Sequence, residues 1–340
     1  YCITFDDIKN AHNRIKEEVV HTPLYHFDNL SKLCNCNLYL KLENLQRCKA
    51  FKFRGALNKI KQLPKGSTVC AVSAGNHSQG VALASQLCGF DSVIYMPSTA
   101  MTTKVQATQG YGARVVQEGD SFDDCNAAML RDLKKHDDWV FVPPFDDKDV
   151  IAGQGTIALE VLQDLPDADI VVIPVGGGGL LSGMAYALKM LNKNIRVIGV
   201  QMTSSPATFI KFNEHHGKNI DVPEHAQASP LGDGIAVKNP GKLNLDIIYD
   251  FVDEVVIVNE DEVALAISLM AERGKIISEG AGAVAFAAVL SHKFNFNEND
   301  KIVGIVSGGN IPLQMLTRCF DRSFFIRKTR AALSVTIPYG

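Results

Sequence analysis

The 340-residue chain lacks most of the features that assign a protein to a class at once. It has a single tryptophan, and its eight cysteines include no Cys-x-x-Cys pair, which argues against a zinc ribbon or a thioredoxin-type site. Cys70 and Cys88 lie in apolar runs, the pattern of buried free thiols in a reducing compartment rather than of a disulfide scaffold. A net charge of −3 leaves no basic footprint for nucleic acid or for an anionic membrane. No apolar run is long enough to span a bilayer. Internal repeats and low-complexity segments are missing as well. The expectations are therefore no nucleic-acid partner, no membrane partner and a soluble, cytoplasmic protein. The chain starts at Tyr1 rather than at methionine, which leaves a removed presequence open.

What is present is organised around one stretch. The apolar run Ile170 to Val175 leads directly into Gly176-Gly177-Gly178-Gly179, followed by the helix-like Leu180-Leu181-Ser182-Gly183-Met184. Four glycines cost conformational entropy and pack nothing, so they fit a place where bare backbone must approach a ligand. With a helix N-terminus beyond them they form an anion cradle, most often for phosphate; a flexible turn is the alternative. Nucleotides fit poorly. A Walker loop needs Gly-Lys-Ser/Thr where Leu180-Leu181 stands, and the glycine offsets of the dinucleotide fingerprint fail from either Gly176 or Gly177. The acidic residue expected after the next strand is replaced by Gln201. A smaller phosphorylated cofactor fits better.

Patterning predicts an amphipathic helix over 5–17 and a strand over 38–42, then strands over 69–73, 92–96, 114–118 and 139–142 with helices near 77–88, 101–109 and 122–134 between them. A second series follows: helix 155–163, strand 169–175, helix 180–191 and strand 196–201. Less regular chain is expected over 202–252, then strand 254–258, helices 259–273 and 282–292, and strand 302–306. This order implies an α/β fold with two open, largely parallel sheets facing a cofactor cleft. The large domain is expected from 1–67 and 146–320, the small one from 68–145, and 321–340 forms a tail.

Three further segments place small or polar residues at strand ends or helix starts: Ser73-Ala74-Gly75-Asn76-His77, Glu279-Gly280-Ala281-Gly282 and Ser307-Gly308-Gly309-Asn310. Each alone is more often a turn or a cap; together in one open α/β protein they point to a cleft at the strand ends. Lys52 is the reactive candidate, because Phe51 and Phe53 flank it and an apolar setting lowers a lysine pKa toward Schiff-base chemistry. Phosphate cradle, lysine and carboxylate loop are the equipment of a pyridoxal phosphate enzyme acting on an amino acid.

These motifs, with Phe51 to Ala56 and Ile151-Ala152-Gly153-Gln154-Gly155-Thr156, stand in one order across residues 5–318 and closely resemble the serine/threonine dehydratases and serine racemases of the fold-type II (tryptophan synthase beta-like) pyridoxal phosphate enzymes. The resemblance implies that Lys52 carries the cofactor and removes the substrate α-proton. It further implies that Gly176, Gly177, Gly178 and Gly179 hold the cofactor phosphate, that Phe51 packs on the ring and that Asn76 bonds the ring hydroxyl. Ser307 would face the ring nitrogen, with Glu279 close to the ring. Ser73, Ala74, Gly75 and His77 would form the substrate carboxylate loop. The implied reaction is elimination from L-threonine or L-serine to a 2-oxo acid and ammonia, in a homo-oligomer (dimer or tetramer).

Three departures refine this. Ala50 replaces a serine common before Phe-Lys in the family, removing one hydroxyl near the phosphate. At the position of Ala74 the racemases carry a serine that works as an acid/base opposite the lysine; alanine cannot hold that proton, which favours dehydration over racemisation. The stretch Gln201 to Ala207 has no carboxylate where racemases bind a divalent cation, so no metal is expected there. Finally, 318–340 resembles the linker and first strand of a regulatory domain in longer threonine dehydratases, with a loosely held tail as the alternative reading.

Overall fold

The computed structural model describes residues 1–220 and 229–331; the expected regulatory-domain strand falls on 332–340, outside the described residues. Ten strands, β1 (Leu24–His26), β2 (Asn37–Leu42), β3 (Thr68–Val72), β4 (Asp91–Met96), β5 (Arg114–Gln117), β6 (Trp139–Phe141), β7 (Ile170–Pro174), β8 (Arg196–Met202), β9 (Glu254–Val258) and β10 (Lys301–Val306), form two sheets. The larger has the order β1-β2-β10-β7-β8-β9 and is parallel except for the antiparallel β1–β2 edge. The smaller, β5-β4-β3-β6, is parallel throughout.

Burial explains the sequence pattern. All five residues of β7 are buried, because a central parallel strand is covered on both faces and reads as a continuous apolar run. Helices Lys148–Asp164 and Gly179–Leu191 cover one face of the large sheet, and the almost wholly apolar helix Gly280–Leu290 covers the other. No described helix is long and apolar enough to cross a membrane.

Three expectations differ from the structure, and two short elements had no expectation. The helix expected over 155–163 starts at Lys148: Asp147 caps it, its Oδ1 accepting the N–H groups of Asp149 (3.0 Å) and Val150 (3.1 Å), and the helix runs through Gly153 and Gly155. The stretch 202–252 holds helices Ala207–His215 and Lys242–Phe251; the latter is rich in Asn, Asp and β-branched residues and gains its stability from packing on helix Gly179–Leu191 rather than from propensity. The short β1 and the helix Asp28–Cys34 had no periodicity to mark them. Helix Leu313–Ile326 runs through residue 320, where the tail was expected to begin.

Candidate active site

Both sheets turn the carboxyl ends of their strands toward the same place, and β3, β7 and β10 each deliver one motif there. After β7, Gly178 adopts a left-handed conformation (φ +106°) and caps helix Gly179–Leu191. That conformation favours glycine, and a Cβ there would also come 2.6 Å from that of Asn244. A Cβ on Gly177 would overlap the Phe145 ring. Among the described residues, the N–H groups of Gly176 to Gly179 donate to no protein acceptor. Donors without partners at a helix N-terminus fit a phosphate.

Lys52 is the first residue of helix Lys52–Ile60. Its Nζ donates to the Pro144 carbonyl at 2.6 Å and lies 5.3 Å from the centre of the Phe51 ring and 5.9 Å from that of Phe145. Burial pulls its pKa down to about 8, since an apolar setting disfavours the ammonium form. A lysine with a large neutral fraction at mildly alkaline pH can act as a nucleophile or base.

Behind Lys52 lies a buried ionic network. Arg54, fully buried, reaches Glu43 through Nε (2.9 Å) and Nη2 (2.8 Å), and Glu160 through Nη1 (2.5 Å) and Nη2 (2.9 Å). Lys41 adds a 2.7 Å pair to Glu160 and donates to the Thr22 carbonyl at 2.6 Å. Burial opposes the Arg54 charge, but the two carboxylates more than offset it and raise its pKa.

The β3 loop closes the site from the smaller sheet. Ser73 Oγ accepts the Gly75 N–H at 3.1 Å, and Gly75 begins helix Asn76–Cys88 with no side-chain cap, so that helix too presents unpaired N–H groups. Ala74 is half-buried against the neighbouring core. Asn76 Nδ2 donates to Glu279 Oε1 at 2.6 Å, and Asn310 Nδ2 donates to Asn76 Oδ1 at 2.8 Å. Glu279 is pushed up to about 7, chiefly by burial, with the Asn76 hydrogen bond working the other way. Ser307 is buried at the end of β10, its Oγ donating to the Ala281 carbonyl at 3.3 Å.

His77 stands apart from the other loop residues. Its imidazole is buried and its Nε2 bonds the Val142 carbonyl at 2.8 Å. Burial first, then the Lys52 charge, pushes its pKa down to about 3. The ring is neutral at physiological pH, so His77 has only its backbone N–H to offer an anion.

Lys52, Asn76, Glu279, Ser307 and the four glycines thus converge from five separate stretches of chain. Pro144, Phe145 and Asn310 also reach the site, although the sequence reading gave them no role. Pro143-Pro144-Phe145 directly follows the β6 region, and position at a strand's carboxyl end was the signal available for it.

A profile of the family described as pyridoxal-phosphate dependent enzyme matches residues 15–308. The chain is 44% identical to an L-threonine ammonia-lyase of Thermotoga maritima, over 94% of this chain and 79% of that protein. Among solved structures it is similar to the processed form of threonine deaminase isoform 2 from Solanum lycopersicum (TM-score 0.86, 33% identity, 94% of this chain and 88% of that one). It is also similar to serine racemase from Dictyostelium discoideum (TM-score 0.84, 34% identity, 92% of this chain and 100% of that one).

Proposed function

The chain belongs to the pyridoxal-phosphate dependent enzymes, and we propose from its site how its residues carry out the α,β-elimination of an L-threonine/L-serine ammonia-lyase, giving 2-oxobutanoate or pyruvate with ammonia. The observation that carries this reading is the Lys52 amine at a helix start, its pKa lowered by burial to about 8, in the same site as the unpaired N–H groups of Gly176 to Gly179. An amine, an anion cradle and a polar Asn76–Glu279 pair are the donor set the cofactor requires, so the residues fit the group.

When bound, pyridoxal phosphate supplies an electron-withdrawing ring that acidifies the substrate α-carbon. The four glycine N–H groups would hold its phosphate, and Lys52 would be the residue to which it attaches. Phe51 and Phe145 shield the Lys52 amine from water, and Pro144 O fixes the direction of Nζ. With substrate in place, the free Lys52 amine would take the α-proton, a transfer favoured by a pKa near operating pH. Asn76 bonds the ring hydroxyl, its amide oriented by Glu279 and Asn310. Ser307 would stand near the ring nitrogen, where a hydroxyl, unlike a carboxylate, would leave that nitrogen largely unprotonated. The substrate carboxylate is bound by the N–H groups of the Ser73–His77 turn, which the helix N-terminus makes electropositive.

Ala74 decides between elimination and racemisation. It carries no ionisable atom, so the face opposite Lys52 has no side-chain proton donor at that position. Chiral analysis of the products from L-serine tests this: pyruvate should greatly exceed D-serine, and D-serine formed as fast as pyruvate would reverse the assignment. The proposal includes the small lobe over 68–145, the large lobe from 1–67 and 146–320, and self-association in the cytoplasm.

A further inference from the structure

The segment Ile151-Ala152-Gly153-Gln154-Gly155-Thr156 is one of the motifs that mark the family resemblance, yet it takes no part in holding cofactor or substrate in the account above. The structure places it inside helix Lys148–Asp164, wedged between the two helices that carry Lys52 and the tetraglycine. The contacts on its two sides differ in kind.

Toward Lys52, the contact is a cap. Helix Lys52–Ile60 has no side-chain N-cap of its own; Phe51, in the cap position, is itself helical (φ −60°, ψ −23°). The Arg54 N–H takes the Phe51 carbonyl at 3.0 Å. The Gly55 N–H instead donates to Gln154 Oε1 at 3.2 Å, across 99 residues of sequence. Gln154 is 1% exposed, so water cannot stand in for it. A Cβ on Gly153 would lie 2.6 Å from Gly55 Cα and 2.8 Å from the Arg54 carbonyl, and Asn58 Nδ2 donates to the Asp149 carbonyl at 2.7 Å. Toward the tetraglycine, the contact is backbone on backbone. A Cβ on Gly155 would lie 2.8 Å from the Gly183 carbonyl, and one on Gly183 would overlap the Ile151 carbonyl.

We propose that Gln154 is a positioning residue for Lys52: it caps the first turn of the lysine-bearing helix in trans, while Gly153 and Gly155 set the spacing between that helix and the phosphate-binding helix. This rests on the reading of Lys52 as the cofactor-bearing amine. Lys52 is three residues before the capped N–H, so loss of the cap loosens the turn from which its side chain springs. Misplacement of a reacting group by a fraction of an ångström lowers kcat more than it alters substrate binding.

The test compares the holoenzyme with Gln154→Met, which keeps length and removes the acceptor, and with Gln154→Glu, which keeps an acceptor. Three quantities are read: the fraction of chain carrying lysine-linked cofactor from its visible absorbance, kcat and KM for L-threonine per loaded site, and amide hydrogen exchange over residues 52–57. For Gln154→Met, kcat per loaded site should fall about tenfold or more, with KM changed less than about threefold. Exchange at Gly55 should quicken, and Gln154→Glu should recover most of the loss. A Gln154→Met enzyme with wild-type kcat per loaded site overturns the proposal, even if it melts earlier, because a residue with a packing role alone lowers stability and loading without slowing the loaded site. If Gln154→Met does not fold, exchange in the wild type decides: strong protection of the Gly55 amide supports the cap, and exchange as fast as that of the Lys52 amide refutes it. Borohydride reduction with peptide mapping reads the underlying assignment separately, and cofactor fixed to any residue but Lys52 overturns both.

Discussion

Lys52 and Glu279 show one cause acting in opposite directions. Burial disfavours charge, so it lowers the lysine to about 8 and raises the carboxyl to about 7. For Glu279 the consequence for stability has a definite sign. Its folded pKa exceeds the ordinary 4.5, so in cofactor-free chain the folded state binds the proton more tightly than the unfolded state. That contribution is fully present below about pH 4.5 and is lost as pH rises through about 7. Glu279→Gln should abolish this loss, and denaturant titrations of both proteins between those limits measure it; parallel stability curves for the two would show that Glu279 does not hold its proton near neutrality. His77 carries a different lesson. It was expected in the substrate carboxylate loop, but its ring is buried and turned to the Val142 carbonyl, which leaves its backbone N–H for an anion.

At the scale of elements, the site is an assembly of helix N-termini. Helices beginning at Lys52, Asn76 and Gly179 bring the Lys52 amine, the Ser73–His77 turn and the tetraglycine, and none of the three has a side-chain cap on its own chain neighbour. Arg54 holds the first of them, tying it to Glu43 and to Glu160 on helix Lys148–Asp164. Removing the cation leaves Glu43 buried without its ion-pair partner and Glu160 with Lys41 alone, so Arg54→Met should cost about 3–5 kcal/mol in unfolding free energy. Urea denaturation checks this, and a loss under about 1 kcal/mol would mean that the network contributes little. These elements also show what sequence could convey. The tetraglycine, Asn76 and Ser307 were legible because strand ends and helix starts are written locally, in glycines, small residues and apolar runs. The helix expected over 155–163 begins at Lys148, and its Gly153 and Gly155 permit close helix crossings. Gln154, Arg54 and Pro144 act over separations of 92 to 106 residues, and no local pattern announces such partners.

For the molecule as a whole, two sheets bring their strand ends to one cleft, and the order of β-α-β units was sufficient to anticipate that architecture. The irregular stretch 202–252 was the main loss, since its helices owe their stability to the surface they cover. Leu45 and Ile277 are each about half exposed, and Asn44 Nδ2 donates to the Ile277 carbonyl at 3.0 Å. A homo-oligomer is what the family resemblance implies. Light scattering should give a mass at least twice the 37.0 kDa of one chain, and a single-chain mass at micromolar concentration would contradict the expectation. The role of Lys52 is tested most directly by comparing 2-oxobutanoate and ammonia release from L-threonine by the wild-type holoenzyme and by Lys52→Ala supplied with excess pyridoxal phosphate. Equimolar release by the wild type, with no turnover by the variant, is the predicted result; turnover retained by Lys52→Ala, or no 2-oxobutanoate from cofactor-loaded wild type, would contradict it.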